Sequence, residues 1–163
     1  MGKVFKTAHI SLTAAAWGIF AVSLIRTAAV LKTLSDEIGV HFASDGSFDV
    51  FASKRYIAYP YIITLLALLF CETIAHFSPK MRLGLKVSEA GARKIISALK
   101  LQTDAAKLCV SFFFAGVWAD CVIRQRPLDT SFAVFTLIAI FLSIILFAAF
   151  ALAVRITDSK RKK

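Results

Sequence analysis

Glu72 and His76 stand four residues apart in an apolar run, so on a helix they share one face. A carboxylate beside an imidazole can relay protons or contribute to a metal site. The plainer reading is an interfacial pair whose polar ends reach lipid headgroups, and a zinc centre would need a third ligand. Arg26, Lys107 and Asp120 also fall in or beside apolar runs. Burying a charge in lipid without a partner costs several kcal/mol, so such residues are expected to find one another. Depth along the helices matches Arg26 with Asp120, and Glu72 with Lys107. A second group, His41, Asp45 and Asp49, surrounds an Asp45-Gly46 turn signal. These three could hold a divalent cation if the turn gathers them, with Lys54 as an anion contact. The plainer reading has His41 bonding backbone in the turn, Asp49 capping or pairing with Lys54 or Arg55, and Gly46 serving only its backbone angle. No Ser-His-Asp order, phosphate-cradling glycine loop or H-E-x-x-H is present, so no catalytic residue and no cofactor is indicated.

The elements that must position these groups are set by composition. Of 163 residues, 58% are hydrophobic and 15 are Phe, yet 20 Lys and Arg against 10 Asp and Glu leave a net charge of +10. That is too apolar for a soluble nucleic-acid binder or a disordered chain. Four apolar stretches account for the excess: Ile10 to Leu31, Ile57 to Phe77, Ala105 to Ile123 and Phe132 to Val154. Each meets the roughly 20 residues that a helix needs to cross a bilayer. The first is expected to be a retained helix and not a cleaved signal, because no A-x-A site follows it. Cys71, Cys109 and Cys121 sit singly in apolar runs without metal or disulfide spacing.

Orientation follows from the cations, since Lys and Arg near span ends stay on the cytoplasmic side. Thirteen fall on the side of the two termini and the 78–104 connection, and five on the side of the 32–56 and 124–131 loops. Both termini are therefore expected in the cytoplasm. In the connection, Ala92, Ile95, Ile96 and Leu99 recur on one helical face while Arg93, Lys94, Ser97 and Lys100 fall on the other. This reads as an amphipathic helix at the membrane surface, begun by Ser88 and Glu89, whose cations meet anionic inner-leaflet lipids. The Lys160-Arg161-Lys162-Lys163 tail reads the same way, and nucleic acid is not indicated because no aromatic platform accompanies the charge.

In the outward loop, Val40 and Phe42 precede the Asp45-Gly46 turn, and Phe48 and Val50 follow it. That alternation predicts a short folded cap over the helix ends. The loop resembles a bacterial family, the small membrane domain at the N-terminus of SdpI-type immunity proteins, whose pattern is L-P-x-x-[IV]-P-x-H-[FW]-x-x-x-G-x-x-D-x-x-x-[SG]-K. Leu34, Ile38, His41, Phe42, Gly46, Asp49, Ser53 and Lys54 match it at the same spacing, while Ser35 and Gly39 stand where the pattern has prolines and Ala43 where Asn is common. The resemblance covers about the first 77 residues and implies a helix-loop-helix unit in a bacterial cytoplasmic membrane.

The expected fold is thus an all-α, four-transmembrane-helix bundle with a short folded outer loop and a cytoplasmic amphipathic helix. It divides into a 1–77 helix-loop-helix unit, a 78–104 basic connector and a 105–163 helix pair with a basic tail. The preferred function is a non-enzymatic, immunity-like protein that binds a peptide, lipid or membrane partner through the outer loop. The alternative is a small ion or proton transporter, or transport subunit, using Arg26, Glu72, His76, Lys107 and Asp120. A third reading places a membrane enzyme's site at His41 and its neighbouring acids. The small-residue faces of the helices are also compatible with assembly into an oligomer.

Overall fold

In the computed structural model, residues 3–78 and 87–160 are described. The expected basic positions Lys80, Arg82, Lys86, Arg161, Lys162 and Lys163 lie outside them. The described residues include four helices long and apolar enough to cross a membrane. Helix α1 (Lys3–Val30) leads into a hairpin of β1 (Glu37–Phe42) and β2 (Phe48–Ser53), then a single 3-10 turn (Lys54–Ile57) and α2 (Ala58–Phe77). Helix α3 (Glu89–Val110) continues through a π-helical segment (Ser111–Trp118) into α4 (Ala119–Arg124), and α5 (Thr130–Lys160) closes the chain. The architecture is helical, with the folded loop built as β-structure.

Local chemistry explains the boundaries. Pro60 is tolerated in the first turn of α2, where its missing N–H would have no helical partner. Ser88 caps α3 by accepting from Gly91 N at 3.0 Å, as its position before Glu89 predicts. Helix α4 ends where Gln125 turns left-handed at φ 49°, and Arg126 N reaches back to Cys121 O at 3.0 Å. Asp129 then opens α5 by accepting from Ser131 N at 3.0 Å.

The amphipathic connector and the third span share one helix with no break at Asp104. Glu89–Arg124 runs for 36 residues, about 54 Å at 1.5 Å per residue, against a hydrocarbon core of about 30 Å. The helix is therefore longer than a hydrocarbon core is deep. Ile95 on the apolar face is buried within the bundle, and Gly91 lets the end of α5 approach so closely that a Cβ there would strike Asp158. Ser88 N and Oγ both donate to Asp158 Oδ2, at 2.9 and 2.6 Å.

This long helix is the hub: α1, α2 and α5 each pack along it, whereas α1 and α2 touch one another little. Ala16, Ala115 and Ala119 are fully buried beside Phe20, Tyr61 and Leu68. Small side chains let helix backbones approach, which matters in lipid because apolar burial no longer favours helix association. Most of α5 remains uncovered by protein, including Phe135 and Phe141.

The hairpin has its own core. Ile38, Ile57 and Val122 are buried together, with Leu34, Val40, Phe42, Phe48 and Trp118 packed around them. Val40 and Phe42 turn toward the helices as the sequence predicts, and the buried Ile38 continues the pattern. The second half of the alternation breaks at Asp49. Two register irregularities flank His41, leaving Val40 unpaired on β1 and Asp49 on β2, so that His41 pairs with Val50 and Phe42 with Phe48, and Val50 lies outward, 48% exposed. The Phe48 ring lies directly on Gly39, and a methyl there would be driven into it. Gly39→Ala is expected to destabilise the cap by about 1–3 kcal/mol, read as a lowered thermal midpoint in detergent. Gly18→Ala, where a Cβ meets nothing within 4 Å, is expected to leave the midpoint unchanged.

Candidate functional site

Three polar assemblies sit on this frame. The first lies among α1, α2 and α3. Lys107 Nζ is wholly buried and donates to Thr13 Oγ1, Glu72 Oε1 and Asp104 Oδ1, each at 2.8 Å. An ammonium has three N–H groups, so its donor capacity is filled. The Asp104 carboxylate, equally buried, also accepts from Thr13 at 3.1 Å and meets His9 Nδ1 at 2.6 Å. Trp17 Nε1 donates to Glu72 at 3.4 Å. One cation and two carboxylates sum to −1, and an imidazolium at His9 would bring the node to zero. Its middle is sealed, while His9 at one end and Glu72 at the other are 32% and 37% exposed.

Glu72 and Lys107 therefore meet, as their depths suggest, but His76 does not join them. Its ring packs edge-on against Phe77, with centroids 5.0 Å apart. Sequence reasoning missed His9, Thr13 and Asp104, although the signals were present. Asp104 lies three residues before Lys107, and His9 four before Thr13, which places each pair on one helix face.

The second assembly is at the hairpin end of the bundle. Asp120 accepts from Arg26 Nη2 at 2.5 Å, the pairing expected from depth. It also accepts from Arg124 Nε at 3.1 Å and Arg126 Nη2 at 2.7 Å. Between these two assemblies Ser23 and Thr27 bond to the Tyr61 hydroxyl, and Ser23 also donates to the Ala115 carbonyl. Ser111 Oγ, at the start of the π-helical segment, is buried without a partner among the described residues.

The third assembly is the cap. His41 Nδ1 meets Asp49 Oδ1 at 2.6 Å across the strands, on an exposed face. Asp49 thus pairs with His41 and not with Lys54 or Arg55. Lys54 instead closes the base of the hairpin, reaching Asp36 Oδ1 at 3.0 Å and the Leu34 carbonyl at 3.2 Å. Ser53 pairs with Glu37 at the strand end. Asp45 turns to Ser47, whose hydroxyl and backbone N–H both donate to it, at 2.7 and 2.9 Å. Those bonds hold the Asp45 carboxyl below the usual carboxylate range. The three residues do not gather: among the described residues no group of three His, Cys, Asp or Glu could hold a metal.

Phe42 stacks near Phe48, with centroids 4.5 Å apart, and edge-on to Trp118 at 6.0 Å. Gly46, at φ +85°, needs both its left-handed backbone and its missing side chain, because a Cβ would strike the Leu128 carbonyl. Leu128 N donates to Gly46 O at 2.9 Å, and Gly39 N donates to Gln125 Oε1 at 2.8 Å. The α4–α5 turn therefore clamps the hairpin at its tip and along its first strand.

The buried node fixes how α1, α2 and α3 sit against each other. Lys107→Met would leave Asp104 charged and short of a cation, a loss of about 3–5 kcal/mol. The expected result is a large drop in thermal midpoint in detergent, recovered in good part by adding Asp104→Leu and Glu72→Gln, which remove the stranded charges.

No family model matches this chain, and neither a curated protein nor a solved structure matches it.

Proposed function

We propose that this chain is a non-enzymatic, multi-pass protein of the bacterial inner membrane, with both termini cytoplasmic, that recognises a peptide or a membrane partner through its outer hairpin. The observation that carries this reading is the contrast between the two faces of the cap. The inward face is packed and clamped. The outward side leaves Val50 48% exposed opposite His41, Phe51 is 61% exposed at the margin of the packed face beside Phe48, and a recess of about 350 Å³ is lined by Arg55, Tyr56, Ala58, Tyr59 and Ile62 where the hairpin leads into α2. A two-stranded sheet also has unpaired strand edges, to which an extended peptide can add by backbone hydrogen bonds. Exposed aromatics beside such an edge supply side-chain contacts. The resemblance of the loop to the SdpI-type domain supports an immunity-like role, in which the bound peptide is a secreted toxin. Replacing Val50 with Ser, which leaves the contact of Phe51 with the packed Phe48 in place, is expected to sensitise a producing strain to at least one member of a toxin panel. Unchanged tolerance across the panel would count against the reading.

A second reading, proton or ion movement, is favoured by one observation: the His9–Asp104–Lys107–Glu72 chain has partly exposed groups at both ends. Along each helix, however, Ala16, Phe20, Leu68 and Ala115 fall between this node and the Tyr61 and Asp120 groups. Flux in this conformation would have to cross that apolar layer. In proteoliposomes, transport requires a flux that Glu72→Gln lowers at least tenfold; binding alone predicts no flux in either protein.

A further inference from the structure

The ion pairs at the hairpin end of the bundle leave positive charge unneutralised. One carboxylate, Asp120, serves Arg26, Arg124 and Arg126, so the four side chains sum to +2. Asp120 is 14% exposed, whereas the three guanidiniums are 46–57% exposed. Each guanidinium carries five N–H groups in a planar fork suited to phosphate oxygens, and the carboxylate occupies few of them.

Below Arg26 runs an apolar groove of about 460 Å³ between α1 and the π-helical segment. Ala15, Gly18, Ile19, Val22 and Ser23 form its α1 side, with Gly116 opposite. From Ala15 to Arg26 is about 16 Å at 1.5 Å per residue. That is close to half of a hydrocarbon core of about 30 Å, the depth of a single leaflet. A Cβ on Gly18 would meet nothing within 4 Å, so the groove is open at that point, whereas one on Gly116 would make ordinary contact with Ile19 and Phe112 at 3.8 Å.

We infer that this groove and its arginines hold one anionic phospholipid from the leaflet on the hairpin side, with the phosphodiester at Arg26, Arg124 and Arg126 and an acyl chain along Ala15 to Val22. Charge decides the occupant. A neutral lipid would fill the groove and leave the +2 surplus without a partner, and a free anion would meet the arginines and leave the groove exposed. The site lies on α1, the π segment and the end of α4, and it does not depend on peptide recognition by the hairpin.

The test is a titration of the detergent-solubilised full chain, read by native mass spectrometry. The ligands are phosphatidylglycerol, phosphatidylcholine of the same chain length, and inorganic phosphate. Phosphatidylglycerol is expected to be retained about tenfold more strongly than phosphatidylcholine, equivalent to about 1.4 kcal/mol. Arg124→Gln/Arg126→Gln should abolish that preference, and Arg124→Lys/Arg126→Lys should restore part of it. Gly18→Leu, which fills open space, should weaken phosphatidylglycerol about tenfold without lowering the thermal midpoint. Equal retention of the two lipids, or a double Gln variant that binds like the parent, would overturn the inference. So would inorganic phosphate displacing the lipid at equal concentration together with an unaffected Gly18→Leu, which would mark an anion site with no acyl chain in it.

Discussion

A lysine ammonium with every donor committed holds the centre of this protein. Lys107 bonds at once to α1 through Thr13, to α2 through Glu72 and to its own helix through Asp104. Apolar side chains alone define helix register poorly in lipid, because one apolar contact can replace another at little cost. A buried charge cannot be satisfied by a slipped neighbour. Sliding or rotating α1 or α2 would strand Asp104 or Lys107. The alanine-lined contacts of Ala16, Ala115 and Ala119 can therefore be close without being interchangeable.

The cap depends on that frame in turn. Its core is shared with the helix ends, since Ile38 packs on Ile57 and Val122, and Phe42 meets Trp118. Its clamp comes from the α4–α5 turn through Gln125 and Leu128. The loop residues that match the SdpI-type pattern have structural work in this chain: Leu34 and Ile38 in the core, Phe42 on the aromatic stack, Gly46 at the tip, His41 with Asp49 across the strands, and Lys54 at the base. The outward side, including the exposed Val50, takes no part in that packing.

Much of this was legible in the sequence, for identifiable reasons. Four apolar runs near 20 residues long leave the backbone no alternative to helix in lipid, so the spans could be read directly. The Arg26–Asp120 and Glu72–Lys107 pairs followed from depth, because a charge in an apolar run must find a partner at its own level. Asp104 precedes the apolar stretch and so reads as part of the connector, and only the unbroken helix carries it into the bundle interior. His9 was hidden for the mirror reason, lying just before the first apolar run. The irregularities at Val40 and Asp49 were illegible because period-two alternation cannot anticipate an inserted residue. The fit of Phe48 over Gly39 and of Leu128 against Gly46 joins residues whose contact no spacing rule predicts.

The claim that a polar node and a clamped hairpin make one rigid unit is tested most directly by hydrogen–deuterium exchange on the full chain in lipid nanodiscs. The paired amides between Ile38 and Ala52 should exchange at least about a hundredfold more slowly than in an unfolded chain, protected in step with the helix ends that clamp them. Open-chain exchange through the hairpin, beside well-protected spans, would contradict it.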